Sequence, residues 1–378
     1  MILKTKNFQE IVNNILVAVS IDKAAANLEL AAKETALYLS VTNREWYCAC
    51  KFDLENPTEF HAVVDASLFL NLISGITTET FEIQAKDTHI VVKAGKSTYK
   101  LAMIFENEHL MKLPVISLSN KTVEMTISKD ILMSILNINS KELQKLKGTA
   151  SVNELQKLYY IDETGCFTFT TGACLNAFSL EKPVRLLLND RIVKLFKLFK
   201  EDVHFSLGME PSANGSQLFT KVVFETSDTY LAALINCDDA LIAKVQSPCT
   251  ATKRYIAEPY DFRLVLSASD LIGAINRLQS FTRNNKSAVD TMASQPAKIT
   301  ISGTDFIIQD RFENTEVVTI ENGSFLSGDY TCSINLLDLK LVVETCKNEH
   351  ITFNCGNNRS IIINRGPVSN LIPERRVE

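Results

Sequence analysis

The chain is 378 residues long, a length typical of two or three domains of about 100–150 residues each, and its 46% hydrophobic and 22% charged residues are typical of a globular protein. No apolar run approaches the roughly 18 residues that a membrane-spanning helix needs, and Glu10 interrupts the first apolar stretch, so we expect neither a membrane span nor a signal peptide and predict a cytoplasmic protein. The net charge of −5 disfavours a nucleic-acid-binding protein unless positive side chains are gathered on one surface.

The first third opens with a predicted amphipathic helix near residue 7, FQEIVNNILVAV, in which Ile11, Val12, Ile15 and Leu16 share one face. Later in this third, the apolar strand FHAVVD leads into the short amphipathic helix ASLFLNLIS. Three strands follow, TFEIQ, HIVVK and TYKL, with a tight turn at Gly95-Lys96 between the last two.

The same order of elements recurs in the other two thirds. In the middle third, the strand VEMTI precedes the helix ISKDILMSILNI, and VRLLLND leads into RIVKLFKLFK, DVHFSLG and LFTKVVFET. In the last third, FRLVL precedes LSASDLIGAINRLQSF, and YTCSI leads into LLDLKLVVETC, HITFN and RSIIINR. The opening helices begin near residues 7, 129 and 269. A small unit of this kind cannot bury its apolar face alone, so three copies predict three similar stacked domains.

We therefore predict an α+β fold of three repeated domains, each with two helices against antiparallel sheets. Their expected bounds are 1–121, 122–258 and 259–378. The boundaries follow two proline-containing stretches of low periodicity, residues 114–122 and 247–260, which we interpret as short, rigid linkers.

Side chains that usually carry catalysis or metal binding are scattered along the chain. The nine cysteines form no C-x-x-C pair, so we expect buried thiols in a reducing compartment and no zinc site. Gly95-Lys96-Ser97 lacks the earlier glycine of a phosphate-binding loop and joins two predicted strands. The five histidines show no metal-binding spacing. The sequence predicts no metal, no cofactor and no enzyme activity.

Positive side chains are concentrated near the predicted helices of the middle domain. Lys145 and Lys147 follow its opening helix. The next helix has four basic residues at steps of three, which form one slanted stripe: Arg191, Lys194, Lys197 and Lys200. An acidic protein can hold a polyanion on such a surface, because charges more than about 10 Å away are largely screened. The alternative is that the stripe only solvates the outer face of one helix.

Five segments carry a resemblance to a known family. They are LYLSVTNREWYCACKF, VVDASLFLNLISGITTETFEIQAKDTHIVVKAGKSTYKLAM, LYYIDETGCFTFTTGACLNAF, DTYLAALINCDDALIAKV and LIPERRVE. No segment is specific alone, but their order and spacing resemble the bacterial type of DNA sliding clamp, the beta subunit of DNA polymerase III, over essentially the whole chain. Several departures from the family pattern predict a divergent member of phage or plasmid origin.

The resemblance implies a homodimeric ring in which two chains surround duplex DNA and helices line the hole. Such a ring holds DNA by topology, and lysines contact phosphates without reading bases. By position, Lys23, Tyr159, Tyr160 and Arg191 are similar to residues that the family uses on DNA. For the two tyrosines the alternative is core packing.

The resemblance also implies a groove between the middle and last domains for short apolar peptides of polymerases and the clamp loader. Carried over by position, its walls are Ile161, Thr170, Thr171, Gly172, Leu175, Lys244, Val245, Leu371, Ile372, Pro373 and Arg375. The chain departs from the family here, since Ala173 and Cys174 replace a histidine and an arginine, and Glu374 stands where an apolar residue is usual. We therefore expect an altered peptide preference.

The dimer interface implied by the resemblance joins the third domain of one chain to the first domain of the other. Candidate contact residues are Phe281, after the opening helix of the third domain, and the sheet edge from Tyr99 to Ile104.

The function predicted from the sequence is that of a processivity factor, a sliding clamp that tethers a replicative polymerase to DNA. The expected partners are double-stranded DNA, a polymerase and a clamp loader through short peptides, and a second copy of the chain. The alternative is a scaffold protein of the replication machinery that binds peptides without encircling DNA. An enzyme with an unrecognised site is the third hypothesis.

Overall fold

The structure, a computed structural model, describes residues 1–22, 24–138, 154–169, 172–211, 218–235, 239–284, 296–346, 349–356 and 360–374. In chain order, the elements of the first third are β1 (Ile2–Lys4), α1 (Thr5–Ile21), β2 (Asn27–Lys33), β3 (Ala36–Thr42), β4 (Trp46–Asp53), β5 (Phe60–Asp65), α2 (Ala66–Ser74), β6 (Thr80–Ala85), β7 (His89–Ala94), β8 (Ser97–Ala102), β9 (Phe105–Glu106) and β10 (His109–Leu110).

The middle third contains β11 (Val123–Ile127), α3 (Lys129–Asn137), a 3₁₀ turn (Glu154–Lys157), β12 (Leu158–Asp162), β13 (Gly165–Phe169), β14 (Ala173–Ala177), β15 (Arg185–Asn189), α4 (Asp190–Leu195), a second 3₁₀ turn (Phe196–Leu198), β16 (Val203–Pro211), β17 (Leu218–Glu225), β18 (Thr229–Ile235) and α5 (Asp239–Ala257). The last third contains β19 (Phe262–Ser267), α6 (Ala268–Asn284), β20 (Pro296–Ser302), β21 (Asp305–Asp310), β22 (Thr315–Thr319), β23 (Phe325–Leu326), β24 (Tyr330–Asn335), α7 (Leu336–Glu344), β25 (His350–Cys355), β26 (Ser360–Arg365) and β27 (Val368–Pro373).

Contacts divide the chain into two compact units. Unit 1 contains residues 1–136 and 180–238. Its two larger antiparallel sheets have the strand orders β1-β6-β7-β8 and β11-β16-β17-β18-β4-β3-β2-β5. Helix α1 packs against α2, β3 and β4, and its Phe8 ring lies 5.2–6.5 Å from the rings of Phe52, Phe69 and Phe81. This aromatic cluster is the centre of the first-third core.

Unit 2 contains residues 137–179 and 239–378. Its strands form one sheet in the order β12-β13-β14-β27-β26-β25-β19-β23 and a second in the order β22-β21-β20-β24. Apolar residues of both sheets and of α6 and α7 form one buried cluster, with Leu271, Phe306 and Phe353 fully buried. The three-domain division at 121/122 and 258/259 stays a prediction.

The predicted repeat is visible at the starts of the helices. A polar residue at the end of a strand caps the second helix of each third: Asp65 accepts the Leu68 amide at 2.8 Å, Asn189 the Ile192 amide at 3.0 Å, and Asn335 the Leu337 amide at 3.2 Å. These caps satisfy amides that a helix start leaves without intrahelical partners. The predicted α+β class, the opening helices and the antiparallel sheets are confirmed.

The expectation of a linker over residues 247–260 is wrong for most of that stretch. Helix α5 continues to Ala257 and has Pro248 in its interior. Val245, Cys249 and Thr252 are buried at helical spacing, so one face of α5 packs against the rest of unit 2. Burial of this face offsets the loss of one backbone hydrogen bond at the proline.

The predicted helix RIVKLFKLFK is shorter than expected. The α-helix ends at Leu195, and the chain continues as a 3₁₀ turn from Phe196 to Leu198. A 3₁₀ turn has about three residues per turn, so side chains three apart lie directly above one another. This geometry keeps the basic residues at steps of three on one edge.

Residues 113–121, which we call the strap, lie across the eight-stranded sheet of unit 1. Ile116 joins a buried cluster with Tyr47, Val223 and Ala232. The Tyr230 hydroxyl donates to the Ile116 carbonyl at 3.1 Å, and Lys221 Nζ donates to the Ser117 carbonyl at 2.9 Å. The predicted linker at 114–122 is therefore packed on the sheet, as expected for a rigid connection.

One carboxylate fixes the end of the strap. Glu210 on β16 accepts hydrogen bonds from the amides of Ser119 and Asn120, the second at 3.2 Å, and from Lys221 Nζ at 2.5 Å. Hydrogen bonding to the Lys221 ammonium, followed by that to the Ser119 amide, lowers the pKa of Glu210 from 4.5 to about 2. The ionised carboxylate is thus the form that the fold prefers.

Replacing Glu210 with glutamine should destabilise unit 1 by about 1–3 kcal/mol at pH 7, because two amides and an ammonium lose a charged acceptor. The pKa of Glu210 is lowered in the fold, so its contribution is complete above about pH 4.5 and disappears as the pH falls towards 2. Urea unfolding of the full chain between pH 7 and pH 3 measures this, and hydrogen exchange of residues 113–122 localises it.

The matched control is Glu106→Gln, since Glu106 is an exposed carboxylate on β9. It should change the free energy of unfolding by less than about 0.5 kcal/mol. If the difference in the free energy of unfolding between wild type and Glu210→Gln stayed constant from pH 7 to pH 3, the assigned role of the Glu210 charge would be contradicted.

Candidate nucleic-acid interface and peptide groove

The basic stripe is held outward by the apolar side of α4 and its 3₁₀ extension. The Asn189 cap starts the helix, and six apolar side chains of the segment are at most 2% exposed: Ile192, Val193, Leu195, Phe196, Leu198 and Phe199. The Phe196 and Phe224 rings pack edge to face at 4.9 Å. Arg191, Lys197 and Lys200 are exposed and Lys194 is partly exposed, so the predicted stripe is present on the surface of unit 1.

Acidic neighbours neutralise two of the four positive charges. Arg191 Nη1 lies 3.1 Å from Asp22 Oδ2 and 3.9 Å from a Glu45 oxygen, and Lys194 forms an ion pair with Asp190. Hydrogen bonding to the Ala24 amide, with further contributions from Asn43 and Arg191, lowers the pKa of Asp22, although burial opposes the shift. Asp22 therefore stays ionised and anchors Arg191.

Lys197 and Lys200 form no ion pair within the part of the chain that the structure describes. Their ammonium groups are the ones that remain available for an anion. The step of three residues was enough to identify this stripe from sequence. No local sequence pattern predicts that Asp22, 169 positions before Arg191, anchors that arginine.

The other residues assigned to DNA are placed as follows. Lys23, Lys145 and Lys147 lie outside the described residues. Tyr159 and Tyr160 on β12 are 1% and 2% exposed. Burial of both rings favours the alternative of core packing, and the assignment of the two tyrosines to DNA stays a prediction.

The predicted peptide groove centres on the pairing of β14 with β27. Ala173 pairs with Leu371 and Leu175 with Ser369, so the end of the chain completes the sheet beside the middle-third strands of unit 2. A Cβ atom on Gly172 would lie 2.0 Å from the Leu371 carbonyl oxygen. The close approach of the two backbones at this point thus requires glycine.

Most of the apolar residues assigned to the groove are buried. Ile161, Leu175, Val245 and Ile372 are at most 7% exposed. Lys244 and Pro373 are exposed and Leu371 is partly exposed, whereas Thr170, Thr171 and Arg375 lie outside the described residues. Lys253 on α5 lies 2.5 Å from Asp162 Oδ2, and this ion pair ties the helix to β12.

Two of the three residues that depart from the family pattern are buried, and the third, Glu374, is partly exposed. Ala173 is 8% exposed and Cys174 is fully buried. Neither can present a polar group to a peptide, in contrast to a histidine and an arginine. This burial supports the expectation of an altered preference.

One of the residues assigned to dimer contacts, Tyr99, lies on an edge strand. Strand β8 ends the four-stranded sheet of unit 1, and its Tyr99 is 42% exposed. Ile104 is partly buried, and its amide donates to the Val63 carbonyl at 2.8 Å. Phe281 belongs to the last turn of α6, and its side chain is outside the described part of the structure.

No three His, Cys, Asp or Glu side chains are grouped so as to hold a metal ion among the residues that the structure describes. The eight cysteines that the structure describes are buried. Across the described ranges, every helix is too short or too polar to cross a membrane.

Solved structures show what the fold resembles. The beta subunit of DNA polymerase III from Pseudomonas aeruginosa has a TM-score of 0.74 at 13% sequence identity, with 100% of both chains covered. The beta chains from Streptococcus pneumoniae and Streptococcus pyogenes each have a TM-score of 0.73, at 14% and 15% identity, over 100% of this chain and 99% of theirs. No protein-family model and no curated protein sequence matches the chain. The chain therefore has the fold of DNA polymerase III beta subunits.

Replacing Gly172 with alanine should destabilise unit 2 by about 1–3 kcal/mol, because the new methyl group overlaps the Leu371 carbonyl and separates β14 from β27. Urea unfolding measures the loss, and faster hydrogen exchange in residues 368–373 would localise it.

Gly75→Ala is the matched control, since the nearest atom to a Cβ there lies at 3.5 Å, an ordinary contact. It should change stability by less than about 0.5 kcal/mol. Equal effects of the two substitutions would show that the β14–β27 approach tolerates a side chain.

Proposed function

We propose that this protein is a DNA polymerase processivity factor, a sliding clamp that encircles duplex DNA without sequence specificity and tethers a replicative polymerase. The observation that carries the proposal is the likeness of the whole chain to DNA polymerase III beta subunits, with TM-scores of 0.73–0.74 over 100% of its length. The basic stripe on unit 1 supports it independently. A clamp works without catalysis, so we propose no enzymatic role.

The stripe suits a surface along which DNA slides. Lysine ammonium groups on flexible stems contact phosphates one at a time and carry no base specificity. Weak and exchangeable contacts let a duplex move, whereas tight base contacts would hold it in place. Lys197 and Lys200 are the residues we expect to contact phosphates most often, because Arg191 and Lys194 already have acidic partners.

Polymerase tethering is proposed for the groove beside β14 and β27. Its assigned residues Ile161, Leu175, Val245 and Ile372 are buried, and the partly exposed Leu371 and exposed Pro373 offer apolar surface to a short peptide. Lys244, exposed on α5, adds a positive charge at the rim. We propose that polymerase and loader peptides use this site with a preference altered by Ala173 and Cys174.

Ring closure is proposed to use two free sheet edges, β8 of one chain and β22 of the other. Among the described residues, each strand ends a four-stranded sheet and pairs with another strand on one side only. Lys96 and Lys100 lie at β8, and the exposed Glu313 lies just before β22, whereas Glu316 on β22 is already paired with Arg277. Opposite charges at the two edges favour pairing of β8 with β22 over pairing of like edges.

The double substitution Lys197→Glu and Lys200→Glu should weaken binding of the full chain to a short linear duplex. The slope of log affinity against log salt should also fall by about two, since each phosphate contact contributes roughly 0.9. Fluorescence anisotropy with a labelled duplex at several salt concentrations measures both quantities.

Its control is Lys86→Glu with Lys298→Glu, two exposed lysines on other strands and turns that give the same change in net charge. Equal losses from both double variants would indicate a general charge effect. An unchanged salt slope in the stripe variant would favour the scaffold that does not encircle DNA.

The proposed interface predicts a dimer whose stability depends on edge charges. Lys100→Glu and Glu313→Lys should each weaken the dimer, because each one places like charges on facing edges. The two substitutions together should restore the dimer, since every interface then has a glutamate at position 100 opposite a lysine at position 313. Size-exclusion chromatography with light scattering over a concentration series measures the dissociation constant. A monomeric wild type at micromolar concentration would contradict ring closure by the chain alone.

A further inference from the structure

A small cleft opens on the outer face of the eight-stranded sheet of unit 1, beside the strap. It has a volume of about 300 Å³ and is lined by residues of β3, β4, β17 and β18 and by the turn between the last two. We call it the tyrosine cleft, after Tyr38, Tyr47 and Tyr230 in its wall. Neither the stripe nor the groove described above uses any of these residues.

The strand register explains why a cleft forms here. Tyr38 pairs with Lys51, and Tyr230 pairs with Ala49, so all four side chains project from the same face of the sheet. The small side chain of Ala49 leaves a depression between the larger ones. The Tyr47 and Tyr230 rings meet edge to face at 6.1 Å, which fixes the inner wall.

The inner phenol groups have partners within the protein. The Tyr47 hydroxyl pairs with Ser40 Oγ at 2.9 Å, and the Tyr230 hydroxyl donates to the Ile116 carbonyl at 3.1 Å. Burial, with the nearby Glu225 carboxylate, raises the pKa of Tyr230 to about 12. The cleft therefore offers neutral aromatic rings, and Tyr38, 39% exposed, is the most accessible one.

Two exposed carboxylates stand at the rim. Asp228 is oriented by the hydroxyl groups of Thr226 and Thr229, at 2.9 and 3.0 Å. Neither Asp228 nor Glu225 forms an ion pair among the described residues, whereas the one cation of the lining, Lys51, lies 2.8 Å from Asp53. The charge left without a partner in the cleft is thus negative.

We propose that the tyrosine cleft binds the guanidinium group of an arginine side chain presented by a partner protein. Aromatic faces attract cations, so a planar guanidinium can stack on the exposed Tyr38 ring. The carboxylates of Glu225 and Asp228, in the lining of the same cleft, favour its positive charge. A volume of about 300 Å³ suits one side chain and is small for a whole ligand. The carboxylates would repel an anion. This inference does not depend on the proposed clamp function.

The test uses the full chain with ¹³C-labelled tyrosine rings, titrated with acetyl-Gly-Arg-Gly-amide and followed by NMR. The ring signals of Tyr38, Tyr47 and Tyr230 should shift and saturate, while those of tyrosines in unit 2 stay in place. The same peptide with citrulline, which keeps the shape and loses the charge, should cause no shift. A lysine peptide should bind several-fold more weakly.

Substitutions at the cleft should act in opposite directions. Tyr38→Ala and Asp228→Asn should each weaken binding about two- to fivefold, as expected for one contact at an exposed site. Glu225→Gln serves as a second rim variant, should the Asp228 turn be disturbed. Lys51→Gln should strengthen binding, because it removes the competing cation. The control Asp305→Asn changes an exposed carboxylate on β21 and should have no effect.

Three results would overturn the proposal. Equal shifts with the arginine and citrulline peptides would exclude charge recognition. Shifts spread over tyrosines of both units would indicate diffuse attraction to an acidic protein. An unchanged affinity in Tyr38→Ala together with Glu225→Gln would show that the cleft is not the site.

Discussion

The fold of unit 1 depends on the antiparallel pairing of β4 with β18, which joins a strand of the first third to a strand of the middle third. Cys48 pairs with Leu231 and Trp46 with Ala233, and all four side chains are fully buried. Backbone hydrogen bonds and apolar burial thus act at the same place. This pairing makes one eight-stranded sheet from two repeats, and it explains why contacts unite them in a single unit.

The positions of the strap, the tyrosine cleft and the basic stripe depend on this pairing of β4 with β18. The strap crosses the joined sheet and is held by Glu210 and Tyr230, and the tyrosine cleft lies between strands on either side of the joint. Helix α4 packs beside α1, so Arg191 reaches Asp22 across the boundary between repeats. Asp22, a residue of the first third, therefore neutralises one positive charge of the basic stripe in the middle third. Two of its charges are compensated, and the two that remain are at its C-terminal end.

The candidate site could be predicted where its signal was local. Basic residues at steps of three, with apolar residues between them, identified the stripe on a segment that is part α-helix and part 3₁₀ turn. The sequence left a DNA contact and core packing open for the two tyrosines of β12, and their burial favours core packing. Helix α5 was missed because a proline and weakly apolar residues such as Cys249 and Thr252 obscured its buried face. The groove and dimer residues stay predictions.

By itself, the sequence determined the repeat, the helix starts and the strand alternation, since periodicity, Asx caps and short turns are encoded within a few residues of one another. It also determined the positive edge of α4. Only the tertiary structure decided which side chains are buried, which charges are neutralised, and how Ala49 leaves a cleft between tyrosines of different strands. These properties depend on residues far apart in sequence, such as Asp22 and Arg191, and no local pattern specifies which distant groups will meet.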